Sequence, residues 1–140
     1  MRTITKESVK GESVKIHNYP LNGAWAWKDR AGNWHLVRDG EELTAGLEAK
    51  EVYSYFNFQK CHWGWKDREG NCHLMRNNIE LTKGLEVKEI GMDRSGSWGW
   101  QDRNGRWHFL MEKNRRLCAD EVRTWDWKDS DNYEQWEEKR

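Results

Sequence analysis

Cysteine is scarce in this chain, and its three copies, Cys61, Cys72 and Cys118, occupy unrelated positions. An odd and irregular set argues against a disulfide framework and for a reducing interior. Long apolar runs are absent as well. No segment approaches the roughly 20 apolar residues of a membrane span. The opening MRTITKESVKGESVKIHN lacks the apolar stretch of a secretory signal. The expected location is therefore the cytoplasm, with no membrane partner. Neither sign of charge is in excess, since 24 basic residues balance 24 acidic ones. Such a balance leaves no electrostatic footprint for DNA or RNA, so no nucleic-acid partner is expected. Aliphatic side chains are also few, and the mean hydropathy is −1.17. That value alone suggests disorder, but disordered chains are poor in aromatics. Here there are eleven Trp, four Tyr and three Phe. A large ring buries roughly 150–250 Å², so a core built from rings is expected in place of a Leu/Val core.

The rings recur in one repeated phrase. It reads WAWKDRAGNWHLVR from Trp25, WGWKDREGNCHLMR from Trp63 and WGWQDRNGRWHFLM from Trp98, with a worn copy, WDWKDSDNYEQW, from Trp125. Repetition of this kind implies one small unit used several times. Within the second copy, Trp63 and Trp65 alternate with Gly64 and so share one strand face. Asp67 and Gly70 then fit a type I turn followed by a left-handed glycine, and Asn71 to Met75 form the return strand. Asp29 with Gly32 and Asp102 with Gly105 repeat the turn. In the fourth copy Asn132 stands at the glycine position, and Asn tolerates that conformation best after Gly.

A second shared phrase follows each hairpin: EELTAGLEAKEV from Glu41, IELTKGLEVKEI from Ile79, and a shortened RLCADEV. Leu43-Thr44 and Leu81-Thr82 read as a short strand or bend. The stretches ending at Tyr55 and at Ile90 read as a third strand, which Val14-Lys15-Ile16 opens at the N-terminus. A short helix over LTAGLEAKEV competes, but its glycine and its length disfavour it. The expected fold is all-β: about four tandem Trp-rich hairpins in a single domain over 1–140, as a short solenoid or a closed ring. Residues 1–12 are expected to be a flexible N-terminus.

The unit resembles the WG-repeat family, on Trp63-Gly64-Trp65 with Asp67 and Gly70, and on Trp98-Gly99-Trp100 with Asp102 and Gly105. Trp25-Ala26-Trp27 with Asp29 and Gly32 is a looser copy. Two features depart from the family. Trp followed by Lys stands where Tyr and an aliphatic are usual, and the Pro-rich segment is missing, Pro20 being the sole proline. The resemblance implies stacked hairpins and a binding role, and assigns no catalytic residue. The hairpins are also similar, more distantly, to choline-binding repeats, which are shorter and secreted.

Three sets of residues compete for function. The Trp rows are expected to be core, yet position 34 holds Trp34, Cys72 and Trp107, a loss of bulk that a tight core resists. Trp34 and Trp107, with the hairpin-tip cations Arg30, Arg68 and Arg103, form one candidate site for a glycan or nucleotide. His35, His73 and His108 repeat, and their strand parity suggests a solvated rim. Cys61-His62 and Cys72-His73 lack zinc spacing, and no metal or cofactor is expected. No acid–base pair, nucleophile or phosphate loop stands out, so no enzyme is expected. The leading expectation is a non-catalytic protein that binds another protein, as an inhibitor, immunity protein or adaptor. Its candidate anchors are Tyr53, Tyr55, Phe56 and Phe58, aromatics on a connection that the other copies lack.

Overall fold

The computed structural model describes residues 3–19, 23–54, 62–93, 95, 97–111 and 126–130. They form three antiparallel sheets of four strands each, and one helix of four residues, α1 (Lys6–Val9). The first sheet comprises β1 (Ser13–Tyr19), β2 (Ala24–Asp29), β3 (Trp34–Arg38) and β4 (Glu41–Glu42). The second comprises β5 (Glu51–Tyr53), β6 (His62–Lys66), β7 (Cys72–Arg76) and β8 (Ile79–Glu80). The third comprises β9 (Val87–Met92), β10 (Trp98–Asp102), β11 (Trp107–Leu110) and β12 (Trp127–Ser130). Strands are hydrogen-bonded in chain order within each sheet, so the fold is all-β.

Each Trp phrase folds as the two central strands, and the register repeats. Ala26 faces Leu36, Gly64 faces Leu74 and Gly99 faces Phe109. The turns follow their Asp and Gly. The Gly32, Gly70 and Gly105 amides donate to the carbonyls of Asp29, Asp67 and Asp102, at 3.0, 3.2 and 3.1 Å. All three glycines have φ near +90°. A Cβ on Gly70 would meet nothing within 4 Å, so its requirement for glycine lies in the backbone alone. Gly70→Val is therefore expected to cost about 1–3 kcal/mol. An unchanged melting temperature would contradict the turn.

No helix forms over 43–52. After the Asp39-Gly40 turn, in which both residues have positive φ, the two-residue β4 pairs with β3. A turn at 43–46 follows, closed by the Leu47 amide on the Thr44 carbonyl at 2.9 Å. The N-terminal segment, expected to be flexible over 1–12, packs from Thr3 onward. Thr5 and Ser8 form a reciprocal capping box on α1, and the Ile4 amide donates to the Gly40 carbonyl at 2.8 Å. Val9 is buried with Trp27 and Val37, while Ile4, Ile16 and Trp25 pack alongside.

The core lies between consecutive sheets. Ala24, Ala26 and Leu36 of the first sheet share a cluster with Val52, Trp63 and Met75 of the second. Cys72 and Leu74 of the second share another with Ile90, Met92, Trp98, Trp100 and Leu110 of the third. The Trp faces of the second and third sheets thus meet the back of the sheet before them, and the first Trp face meets the N-terminal segment.

The fourth phrase contributes differently from its sequence. Its leading strand, β12, adds to the outer edge of β11, where the other sheets carry β4 and β8. Asn132 and the rest of that hairpin lie outside the described residues. Among the described residues β1 pairs with β2 and β12 with β11, and neither pairs with the other. No helix among the described residues is long and apolar enough to cross a membrane.

Candidate functional site

The repeated polar residues converge on the three histidines. The His35 ring stacks on Trp27, with centroids 4.1 Å apart and planes 15° from parallel. Its Nε2 lies 2.8 Å from Asp29 Oδ2 and its Nδ1 lies 2.7 Å from Glu42 Oε2. The Thr44 hydroxyl donates to the same Glu42 oxygen at 3.1 Å and accepts from the Leu36 amide at 3.0 Å. His73 repeats this in full: it stacks on Trp65 at 4.2 Å and meets Asp67 and Glu80, both at 2.8 Å. Thr82 holds Glu80. His108 stacks on Trp100 at 4.4 Å and meets Asp102 at 2.9 Å. Its second carboxylate is Asp129 of β12, at 2.7 Å. The turn aspartates thus have two tasks. One oxygen accepts the turn amides, as Asp29 Oδ1 does from Ala31 and Asn33, and the other holds the ring.

These side chains are no solvated rim, for the histidines are only 16–18% exposed. Strand parity does set them opposite position 34, but that is the Trp face, which the stacking covers. A signal was present in the chain. Asp, His and Glu recur at steps of six and seven residues in the first two copies.

A second polar cluster is buried between the sheets. Arg38 Nη2 donates to Ser54 Oγ and to the His62 carbonyl, each at 3.0 Å. Arg76 Nε donates to His62 Nε2 at 3.3 Å, and the His62 ring lies 4.7 Å from that of Trp98. Burial, reinforced by Arg76 and then Arg38, pushes the His62 imidazole down to about 3, so it is the neutral acceptor for Arg76. Ser54 and His62 flank segment 55–61. One guanidinium of the first sheet therefore grips both ends of that connection.

The sequence candidates fall around this frame. Tyr53 ends β5, half-buried, with its hydroxyl 3.3 Å from Glu51 Oε1 and 3.9 Å from Cys72 Sγ. Tyr55, Phe56 and Phe58 lie outside the described residues, as does Cys61. The tip arginines reach back along the chain. Arg30 Nη2 donates to the Gly11 carbonyl at 3.2 Å, Arg68 to Asn33 Oδ1 and the Ala31 carbonyl, and Arg103 to Asn71 Oδ1. Each tip after the first is thus tied to the tip before it. Trp107 is buried and stacks on Phe109 at 5.8 Å. Trp34 is half-buried, with Lys15 Nζ 5.9 Å above its ring. Cys72 fills the same row inside the core, and burial raises its thiol to about 11. Among the described residues no group of three or more His, Cys, Asp or Glu side chains is arranged to hold a metal ion.

No family model, curated protein or solved structure matches the chain.

Proposed function

We propose that the chain is a non-catalytic binding protein, a short solenoid of WG-repeat type that recognises another protein as an inhibitor, immunity protein or adaptor does. The repeated residues serve as scaffold: tryptophans between sheets, histidines between carboxylates, arginines between tips. Recognition then falls to what is not repeated. The observation that carries this reading is the grip of Arg38 on Ser54 and His62. A buried cation that fixes both ends of an unrepeated aromatic connection gives it a rigid base. Such a base lowers the ordering cost of presenting Tyr55, Phe56 and Phe58 to a partner. The rival site, with Trp34, Trp107, Arg30, Arg68 and Arg103 around a glycan or nucleotide, has less support. Its guanidinium donors are bonded within the chain, and Trp107 is covered.

Pull-down of the tagged chain from its native host, followed by mass spectrometry, tests the reading. The wild type should retain a stoichiometric protein, and Tyr55→Ala with Phe58→Ala should lose it while the melting temperature barely moves. Full-strength capture by the double variant would overturn this assignment. Quenching of Trp fluorescence by an added glycan or nucleotide, removed by Trp34→Ala, would favour the rival.

A further inference from the structure

We propose that His35 and His73 are each held as a doubly protonated imidazolium between two carboxylates, so that the fold takes up protons as it forms and its first two sheets loosen as the pH rises above neutral.

The geometry demands the extra proton. Both ring nitrogens of His35 face carboxylate oxygens, at 2.8 and 2.7 Å, and both of His73 do so at 2.8 Å. A neutral imidazole has one N–H, and its other nitrogen is an acceptor. That lone pair would then face a carboxylate lone pair at hydrogen-bond distance, which is repulsive. A second ring proton turns the repulsion into a charge-assisted hydrogen bond of the stronger kind. The stacked indole favours the same state, because its π-face attracts a cation. The arrangement occurs twice with the same partners, which makes it a property of the unit.

The charged groups that face the rings are few. His35 meets Asp29 at the end of β2 and Glu42 on β4, with Trp27 against its face. His73 meets Asp67 after β6 and Glu80 on β8, with Trp65 against its face. Hydrogen bonding to Glu42 raises His35 above its ordinary 6.5, and the bond to Asp29 adds to this against the opposing burial. For His73 burial pulls downward, but Glu80 and Asp67 together outweigh it and the net shift is upward. Burial also works against Asp29 and Asp67, yet the bonds from the rings and the turn amides hold both below 3.8.

The signs follow. A histidine with a raised value contributes stability that is fully present below about 6.5 and is lost as the pH climbs through the raised value. An aspartate with a lowered value contributes stability present above 3.8 and lost as the pH falls through the lowered value. The clamps therefore hold best between these limits. Each joins a hairpin tip, a central strand and a two-residue edge strand. Loss of the ring proton frees the tip and the edge strand together.

Long-range ¹H–¹⁵N spectra of the imidazoles in the intact protein read the state directly. At pH 6.5, where an ordinary imidazole is half protonated, both nitrogens of His35 and His73 should carry protons in excess of that half, while His62 should show one bare nitrogen as an internal reference. Between about pH 6.5 and the raised value of each ring, the unfolding equilibrium constant should rise by up to about tenfold per pH unit for each clamp. Glu42→Gln with Glu80→Gln should flatten that slope, because an amide can donate to a neutral ring. Mostly unprotonated ring nitrogens on both His35 and His73 at pH 6.5, or stability independent of pH above 6.5, would overturn the proposal. The spectra concern the wild type, so the test stands even if the double variant does not fold.

Discussion

Trp63→Ala should lower the stability of this protein by about 3–5 kcal/mol, the usual range for deleting a fully buried large ring. The ring is 1% exposed and lies in the seam between the first two sheets, clustered with Ala26 and Leu36 of the first sheet and with Met75, its cross-strand partner in the second. Its Nε1 also donates to the Asn77 carbonyl at 2.7 Å. Asn77 has a φ of +52° in the turn between β7 and β8, so the lost bond loosens that turn too. The sheets around the gap are pinned by Arg38, which prevents an easy collapse into the cavity. For a chain of this length, the melting temperature should fall by roughly 10–15 °C. A fall under about 3 °C would show that the seam is not packed as described. Trp34→Ala, at a half-buried position, should cost distinctly less.

Gly99→Ala should be more damaging than the equivalent change in the second copy, Gly64→Ala. An added Cβ would press on the Phe109 ring, which is fully buried, and lie 2.9 Å from the His108 carbonyl. Neither neighbour is a flexible chain end. Overpacking of a closed core costs about 1–3 kcal/mol, and a ring against backbone belongs at the upper end. The same position in the other copies shows why. At Gly64 the nearest obstacle is the Ile90 Cδ1 methyl, which can rotate away, so Gly64→Ala should cost less. At Ala26 the methyl is already present, opposite Leu36. The pairs Ala26/Leu36, Gly64/Leu74 and Gly99/Phe109 share one volume between two facing residues. Gly99→Ala combined with Phe109→Leu should therefore recover most of the loss in thermal denaturation, as a favourable coupling in a double-mutant cycle. Additive losses would contradict this shared volume.

The hairpins were legible because their determinants are local. Asp and Gly three residues apart define the turn, and alternating Trp defines the face. Two further turns carry local signals of the same kind. Asp39-Gly40 is a strong two-residue hairpin signal that falls between the two shared phrases. Asp93 accepts from the Ser95 and Ser97 amides, each at 2.9 Å, in the same manner as the tip aspartates. The clamps were harder to foresee, because Glu42 reaches His35 only through β4, two residues long and without a strand pattern of its own. The position of β12 was not legible at all. WDWKD looks like the start of another hairpin, and only the open edge of β11 determines that it adds there. The grip of Arg38 on Ser54 and His62 was equally hidden, since it joins residues 16 and 24 positions apart. Arg38 and Arg76 repeat, but a repeated arginine after a strand resembles a solvated end until burial is known.

The central claim is that the sheets follow one another in series, the second and third Trp faces covered by the back of the sheet before them and the first by the N-terminal segment. Aromatic-to-methyl nuclear Overhauser effects measure this most directly. Cross-peaks should connect the Trp63 ring with the methyls of Ala26 or Leu36, and the rings of Trp98 or Trp100 with the methyls of Leu74. Trp27 should show cross-peaks to Val9 of the N-terminal segment. Trp63 and Trp98 rings with contacts only inside their own sheets would contradict the serial arrangement, and with it the scaffold on which the proposed recognition rests.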